Sequence, residues 1–75
     1  MVTMIERDEQ GTDANFGERL RAMRLLRGLT QKQLEAKTGI DKGRISAFEN
    51  GHINPRLSTV LRFTEALGCS TDELA

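Results

Sequence analysis

The residues with the most chemical potential lie in one run, TQKQLEAKTGIDKGRISAFENG, from Thr30 to Gly51. If the segment after Asp41 is helical, Ile45 and Phe48 fall on one side. Positions 42, 43, 46, 47 and 50 fall on the other. Lys42, Gly43 and Arg44 stand at the leading end. Ammonium and guanidinium groups donate hydrogen bonds to the acceptors of guanine and to phosphate oxygens. Ala47, one turn on, is small enough to touch a thymine methyl group. Gly43 either lets the backbone approach a ligand closely or makes no contact. Gln31 opens the preceding helical pattern, where its amide and the free backbone N–H groups can hold a phosphate. This is the chemistry of binding a polyanion, not of breaking bonds.

Other chemistry lacks its parts. There is one cysteine and one histidine, so neither an intrachain disulfide nor a zinc site is expected. His52 lies in a loop with no second His, Cys or paired carboxylate near it in sequence. Asp72 and Glu73 fit a helix start. With no glycine-rich phosphate loop, nucleophile–base pair or ligand cluster, the sequence predicts no enzyme, metal or cofactor. The longest apolar runs are far short of a transmembrane helix, and MVTMIERDEQ lacks the apolar region of a signal peptide. A cytoplasmic protein is the expectation.

Net charge is zero, which on its face argues against a nucleic-acid partner. The distribution reverses that. Residues 1–14 carry Glu6, Asp8, Glu9 and Asp13 against Arg7, a net −3, whereas residues 15–75 carry ten basic against seven acidic groups, a net +3. Charge acts by face rather than by sum.

Helical periodicity positions these residues. Residues 1–14 show no sustained period and read as an acidic tail. A first helix is predicted from Asn15 as N-cap, with Glu18 completing a capping box, and with Phe16, Leu20, Met23 and the Leu25/Leu26 pair at helical spacing. Its arginines, Arg19, Arg21, Arg24 and Arg27, read as a solvated face. Gly28 ends it. Thr30 and Gln33 form the capping box of a second helix around Leu34, which stops at Gly39 before the inward-pointing Ile40. Asp41 caps a third helix. After a loop holding the chain's one proline, a fourth helix carries Leu57, Val60, Leu61, Ala66 and Leu67, with Phe63 beside them, and stops at Gly68. Ser70 and Glu73 predict a short fifth. The fold class is all-α: a tail over 1–14 and a compact domain of four to five helices over 15–75. Helices 2 and 3, joined by a short glycine turn, form a helix-turn-helix.

The run GLTQKQLEAKTGIDKGRISAFENG, followed by NPRLSTVLRFTEALGCSTDEL, resembles the phage repressor/Cro-type (Xre-like) helix-turn-helix family, whose fold is lambda-repressor-like. The resemblance covers roughly residues 16–75 and rests on Gln31, Leu34, Gly39, Ile45, Glu49, Asn50, Gly51, Pro55 and the ALG at 66–68. It implies a sequence-specific regulator that binds double-stranded DNA as a homodimer on a palindromic operator. By position, Gln31 matches a phosphate-holding glutamine, and Lys42, Gly43 and Ala47 match base-reading positions flanked by Arg44 and Ser46. Asn50 matches a phosphate contact, and Arg56 follows the loop proline, where some members send an arginine to the minor groove or backbone. Arg24 and Glu49 match an ion pair between helices 1 and 3. Glu35 departs from the family's small residue: its stem lies along helices 2 and 3 with the carboxylate exposed, or it pairs with a nearby Lys or Arg. A controller-like or Cro-like autoregulator ranks first. An antitoxin-type repressor, and an interaction module that uses a protein partner and has lost DNA binding, remain open. The apolar residues Leu61, Phe63, Leu67, Cys69 and Leu74 are the expected dimer surface.

Overall fold

The computed structural model describes residues 14–69. Four helices follow one another: α1 (Ala14–Leu26), α2 (Gln31–Thr38), α3 (Lys42–Glu49) and α4 (Leu57–Leu67). There is no strand among the described residues, and the all-α class holds. The acidic tail apart from Ala14, and the fifth helix predicted from Ser70, lie outside the described residues. Asn15 is not the N-cap of α1: it lies within the helix, which already includes Ala14.

The helix boundaries inside the domain follow local chemistry. Thr30 Oγ1 accepts from the Gln33 N–H at 3.0 Å, and the Gln33 amide oxygen accepts from the Thr30 N–H at 2.8 Å. The chain leaves α2 at Gly39, whose φ of 76° is a left-handed value that side chains resist. Thr38 tightens that exit: its hydroxyl donates to the Leu34 carbonyl at 2.8 Å and accepts from the Ile40 N–H at 3.0 Å. Ile40 is thereby turned into the core, and Asp41 starts α3 two residues after the glycine.

The core is small and contiguous: Phe16, Leu20, Leu34, Ile40, Ile45, Phe48, Phe63 and Leu67. All three phenylalanines meet. Phe48 stands edge-on to Phe16 and Phe63, with ring centroids 6.1 and 5.7 Å apart, so the rings join α1, α3 and α4. Two apolar expectations need correction. Leu25 and Leu26 are exposed, because Arg24 takes the inward position in that turn and the next two residues rotate away from the core. In α4, Phe63 is the central core residue rather than a flanking one. The inward row is Thr59, Phe63 and Leu67, with Val60 and Thr64 alongside, and Leu57 and Leu61 face outward. Phe63 and Leu67 are therefore committed to the domain's own core and cannot form a dimer surface.

Gly17 sets the spacing of α1 and α3, a role its spacing in the sequence did not disclose. A Cβ there would overlap the Phe48 carbonyl oxygen and lie 2.7 Å from that of Glu49. Both obstacles are backbone and cannot swing aside, so α1 would have to back away from the end of α3. Gly17→Ala is expected to lower stability by about 2 kcal/mol, read from urea unfolding. An unchanged midpoint would show that the two helices are not held this close.

Candidate nucleic-acid interface

The site is built around a buried carboxylate at the end of α3. The Glu49 side chain has no exposed surface, and it accepts from three directions. Arg24 grips it with two nitrogens, Nε at 2.7 Å and a terminal nitrogen at 3.1 Å. Gln31 Nε2 donates at 3.1 Å and Arg21 Nε at 3.4 Å. Burial pushes the Glu49 carboxyl up. The hydrogen bonds from Arg24 and Gln31, the charge of Arg24 and the bond from Arg21 together outweigh it and hold the group below its usual 4.5. Arg24 also donates to the Leu29 carbonyl at 2.8 Å. One guanidinium thus joins the end of α3 to the turn between α1 and α2.

This centre orders the side chains around it. The Gln31 amide, expected to hold phosphate, is anchored to Glu49 through one nitrogen. Arg21 continues outward, donating to Asn50 Oδ1 at 3.1 Å, and Asn50 Nδ2 donates to Ser46 Oγ at 3.3 Å. Gln31, Ser46 and Asn50 therefore converge on one surface where the start of α2 meets the end of α3, with Arg21 among them. Arg21 was not among the residues singled out from the sequence. A detectable signal existed, since it lies one turn before Arg24 and thus on the same side of α1. The helix 1 arginines are not a uniform solvated face. Arg21 and Arg24 bond to Glu49, and Arg27 donates to the Leu67 carbonyl at 2.7 Å and to the Gly68 carbonyl at 3.4 Å, closing the end of α4.

At the other end of α3, Lys42, Gly43 and Arg44 are exposed, and Ala47 is half-buried one turn on. Two carboxylates govern the first turn. Asp41 Oδ2 accepts from the Gly43 N–H at 2.8 Å. Glu35 Oε2, reaching across from α2, accepts from the Lys42 N–H at 3.3 Å. Glu35 thus bonds to the backbone of α3 rather than to a basic side chain. Gly43 acquires a local reason as well: a Cβ there would stand 2.8 Å from the capping Asp41 oxygen. Arg44 lies over the Phe48 ring, 5.5 Å from its centroid. Arg44 and Arg56 line a groove of about 260 Å³ between α3 and α4, with Ile40, Ser58, Thr59 and Arg62. Arg62 is a further candidate with no signal in the sequence, because only the packing of α4 beside the α2–α3 turn brings it there. Among the described residues no cluster of three or more His, Cys, Asp or Glu side chains forms a metal site. No described helix is long and apolar enough to cross a membrane. Cys69 is half-buried against the core, a packing position.

Removing Arg24 strands a buried charge. Arg24→Ala is expected to cost about 3 kcal/mol of stability, the low end for a broken buried pair because Arg21 and Gln31 remain. Calorimetry checks this, and a loss no larger than that of an exposed arginine would contradict it. The pH dependence has a fixed sign. A carboxyl held low in the folded state stabilises fully above its unfolded value near 4.5, and that contribution vanishes as pH falls through the folded value. Glu49→Gln is expected to be less stable than the parent at neutral pH, and the difference should shrink below about pH 4.5. A difference that grows on acidification would reverse the account.

The comparisons agree with this geometry. A helix-turn-helix family model, HTH_3, matches residues 20–74. An uncharacterised HTH-type transcriptional regulator, y4dJ, of Sinorhizobium fredii is 36% identical over 58 residues, covering 77% of this chain and 75% of the relative. Among solved structures, the restriction-modification controller protein C.AhdI from Aeromonas hydrophila superposes with a TM-score of 0.79 at 34% identity, covering 83% of this chain and 94% of that one. The P22 c2 repressor in complex with a synthetic operator gives a TM-score of 0.73, also at 34% identity, covering 79% of this chain and 89% of that one. With its four helices, its glycine turn and a family model matching most of its length, the chain belongs to the HTH_3 helix-turn-helix family of DNA-binding transcriptional regulators.

Proposed function

We propose that the protein is a sequence-specific regulator that binds a palindromic operator as a homodimer, in the manner of a controller or Cro-like autoregulator. The observation that supports this most is the leading face of α3. Lys42 and Arg44 are exposed there on a helix whose other face is locked into the core by Ile45 and Phe48 and into the ion-pair centre by Glu49. A rigid helix with exposed cationic side chains at its leading end can enter the major groove and meet guanine acceptors. Ala47 is the apolar contact for a thymine methyl. Gln31, Ser46, Asn50 and Arg56 flank that face and bond to phosphates or, for Arg56, to the minor groove. Arg62 adds a second guanidinium beside Arg56. Leu57 and Leu61, exposed on α4, support pairing of two copies. The similarity to a controller protein over most of both chains favours that class.

A second reading, a module that binds a protein and not DNA, draws on the carboxylates of Glu35 and Asp41 at the leading end of α3, since both repel phosphate. Gel shifts on random and genomic fragments at two salt concentrations separate the two. The regulator reading predicts binding that weakens with salt, with a slope of about −0.9 per phosphate neutralised. No binding at low salt would overturn it. Lys42→Ala or Arg44→Ala is expected to cost about 1–3 kcal/mol of specific binding if the residue reads a base, with helix content by circular dichroism unchanged. A lost fold would make the residue structural instead. Sedimentation of the complex with a selected duplex should show two protein copies per site.

A further inference from the structure

Glu35 is a side chain of α2 that reaches the leading end of α3. It is half-buried, and its Oε2 accepts from the Lys42 N–H at 3.3 Å. Lys42 is the first residue of α3, and its N–H is one of the four that a helix leaves without an internal partner. Asp41, on the α2–α3 turn, satisfies the Gly43 N–H from its own segment. The two carboxylates act differently. Asp41 caps α3 locally and would travel with it. Glu35 belongs to another helix, so its bond fixes where the start of α3 stands relative to α2. At the far end of α3 the same task falls to Gln31 of α2, whose amide holds Glu49. Helix α3 is therefore pinned to α2 at both ends, by Glu35 at its beginning and by Gln31 at its end.

We propose that Glu35 is a specificity-determining positioning residue. It holds the backbone of Lys42 so that the Lys42 and Arg44 side chains meet base edges in one register, and it takes up an N–H that would otherwise bond to any DNA phosphate. The proposal rests on the DNA-binding reading above. Bonds to phosphate carry no sequence information, whereas base contacts do. A helix start whose N–H groups are already engaged has fewer sequence-independent contacts to offer. Its carboxylates also repel backbone phosphates wherever the side chains do not find their bases. Glu35 thus lowers affinity for every sequence and sharpens the difference between them.

Two variants and two readouts test this. Glu35→Gln keeps an acceptor oxygen at the same reach and removes the charge; Glu35→Ala removes both. Binding is measured on a selected duplex and on random duplex of equal length. Glu35→Ala is expected to lower the ratio of specific to random affinity about tenfold, comparable to the loss of one good base contact, without weakening binding to random duplex. Glu35→Gln is expected to bind both duplexes more tightly than the parent and to retain most of the ratio. An unchanged ratio in Glu35→Ala, or a Glu35→Gln variant as impaired in the ratio as Glu35→Ala, overturns the proposal. Amide hydrogen exchange provides a readout free of DNA. The Lys42 N–H should exchange slowly in the parent and in Glu35→Gln, and rapidly in Glu35→Ala, with the α4 amides unchanged. Equal Lys42 exchange in all three proteins overturns the positioning role whatever the DNA data show. A parent protein that binds neither duplex overturns the regulator reading and the specificity role with it; binding with an unaltered ratio overturns only the latter.

Discussion

The arrangement depends on a carboxylate with no solvent contact. Glu49 sits at the end of α3, and a buried negative charge is tolerated only where donors surround it. Arg24 and Arg21 come from α1 and Gln31 from the start of α2. The need to satisfy one group therefore fixes three helices relative to each other. Apolar packing alone is less exacting. The core of Phe16, Leu20, Leu34, Ile45, Phe48 and Phe63 would tolerate small rotations of α3 at modest cost, whereas a bidentate guanidinium–carboxylate pair has one geometry. Gly17 removes the steric obstacle to it by letting α1 approach the Phe48 and Glu49 carbonyls.

The same centre extends to the surface. Arg21 passes from Glu49 to Asn50, and Asn50 to Ser46. Residues facing outward from α3 are thus ordered by the group facing inward. At the other end the ordering is done by caps: Asp41 on Gly43 and Glu35 on Lys42. The basic side chains themselves remain exposed, and the backbone beneath them is held. A sum of zero net charge is compatible with this, because several of the acids are spent on structure. Glu49 is buried against Arg24. Glu35 and Asp41 engage backbone N–H groups at the start of α3.

Much of this was legible in the sequence, because the signals were local. The capping box at Thr30 and Gln33, the left-handed turn at Gly39, the cap at Asp41 and the inward Ile45 and Phe48 each depend on residues within one or two turns. What was hidden depends on which helix faces which. Leu25 and Leu26 looked like core residues because they are apolar, yet Arg24 holds the inward position, as its partner lies 25 residues away. Phe63 looked peripheral because the leucines around it outnumber it, but Thr59 and Thr64 share its face. Gly17 gives no sign of its role until α3 is laid against it. Glu35 reaches from α2 to α3 with its carboxylate at the surface, but the partner it finds there is the Lys42 backbone N–H, which only the folded turn presents. For the proposed DNA-facing set, the motif singled out Lys42 to Ala47. The neighbouring contributions of Arg21 and Arg62 come from α1 and α4, whose approach no local pattern encodes.

In the proposed function, the face of α3 held by Glu49 at one end and capped by Asp41 and Glu35 at the other is the surface that reads DNA. Titrating isotope-labelled protein with a duplex selected from a random pool, and following every backbone amide by NMR, tests it most directly. The largest shifts are expected at Gln31, from Lys42 to Ala47, and at Asn50 and Arg56. The outer faces of α1 and α4, around Leu26 and Leu61, should stay unchanged until a second copy binds. Shifts confined to those outer faces, with residues 42–47 silent, would contradict the account.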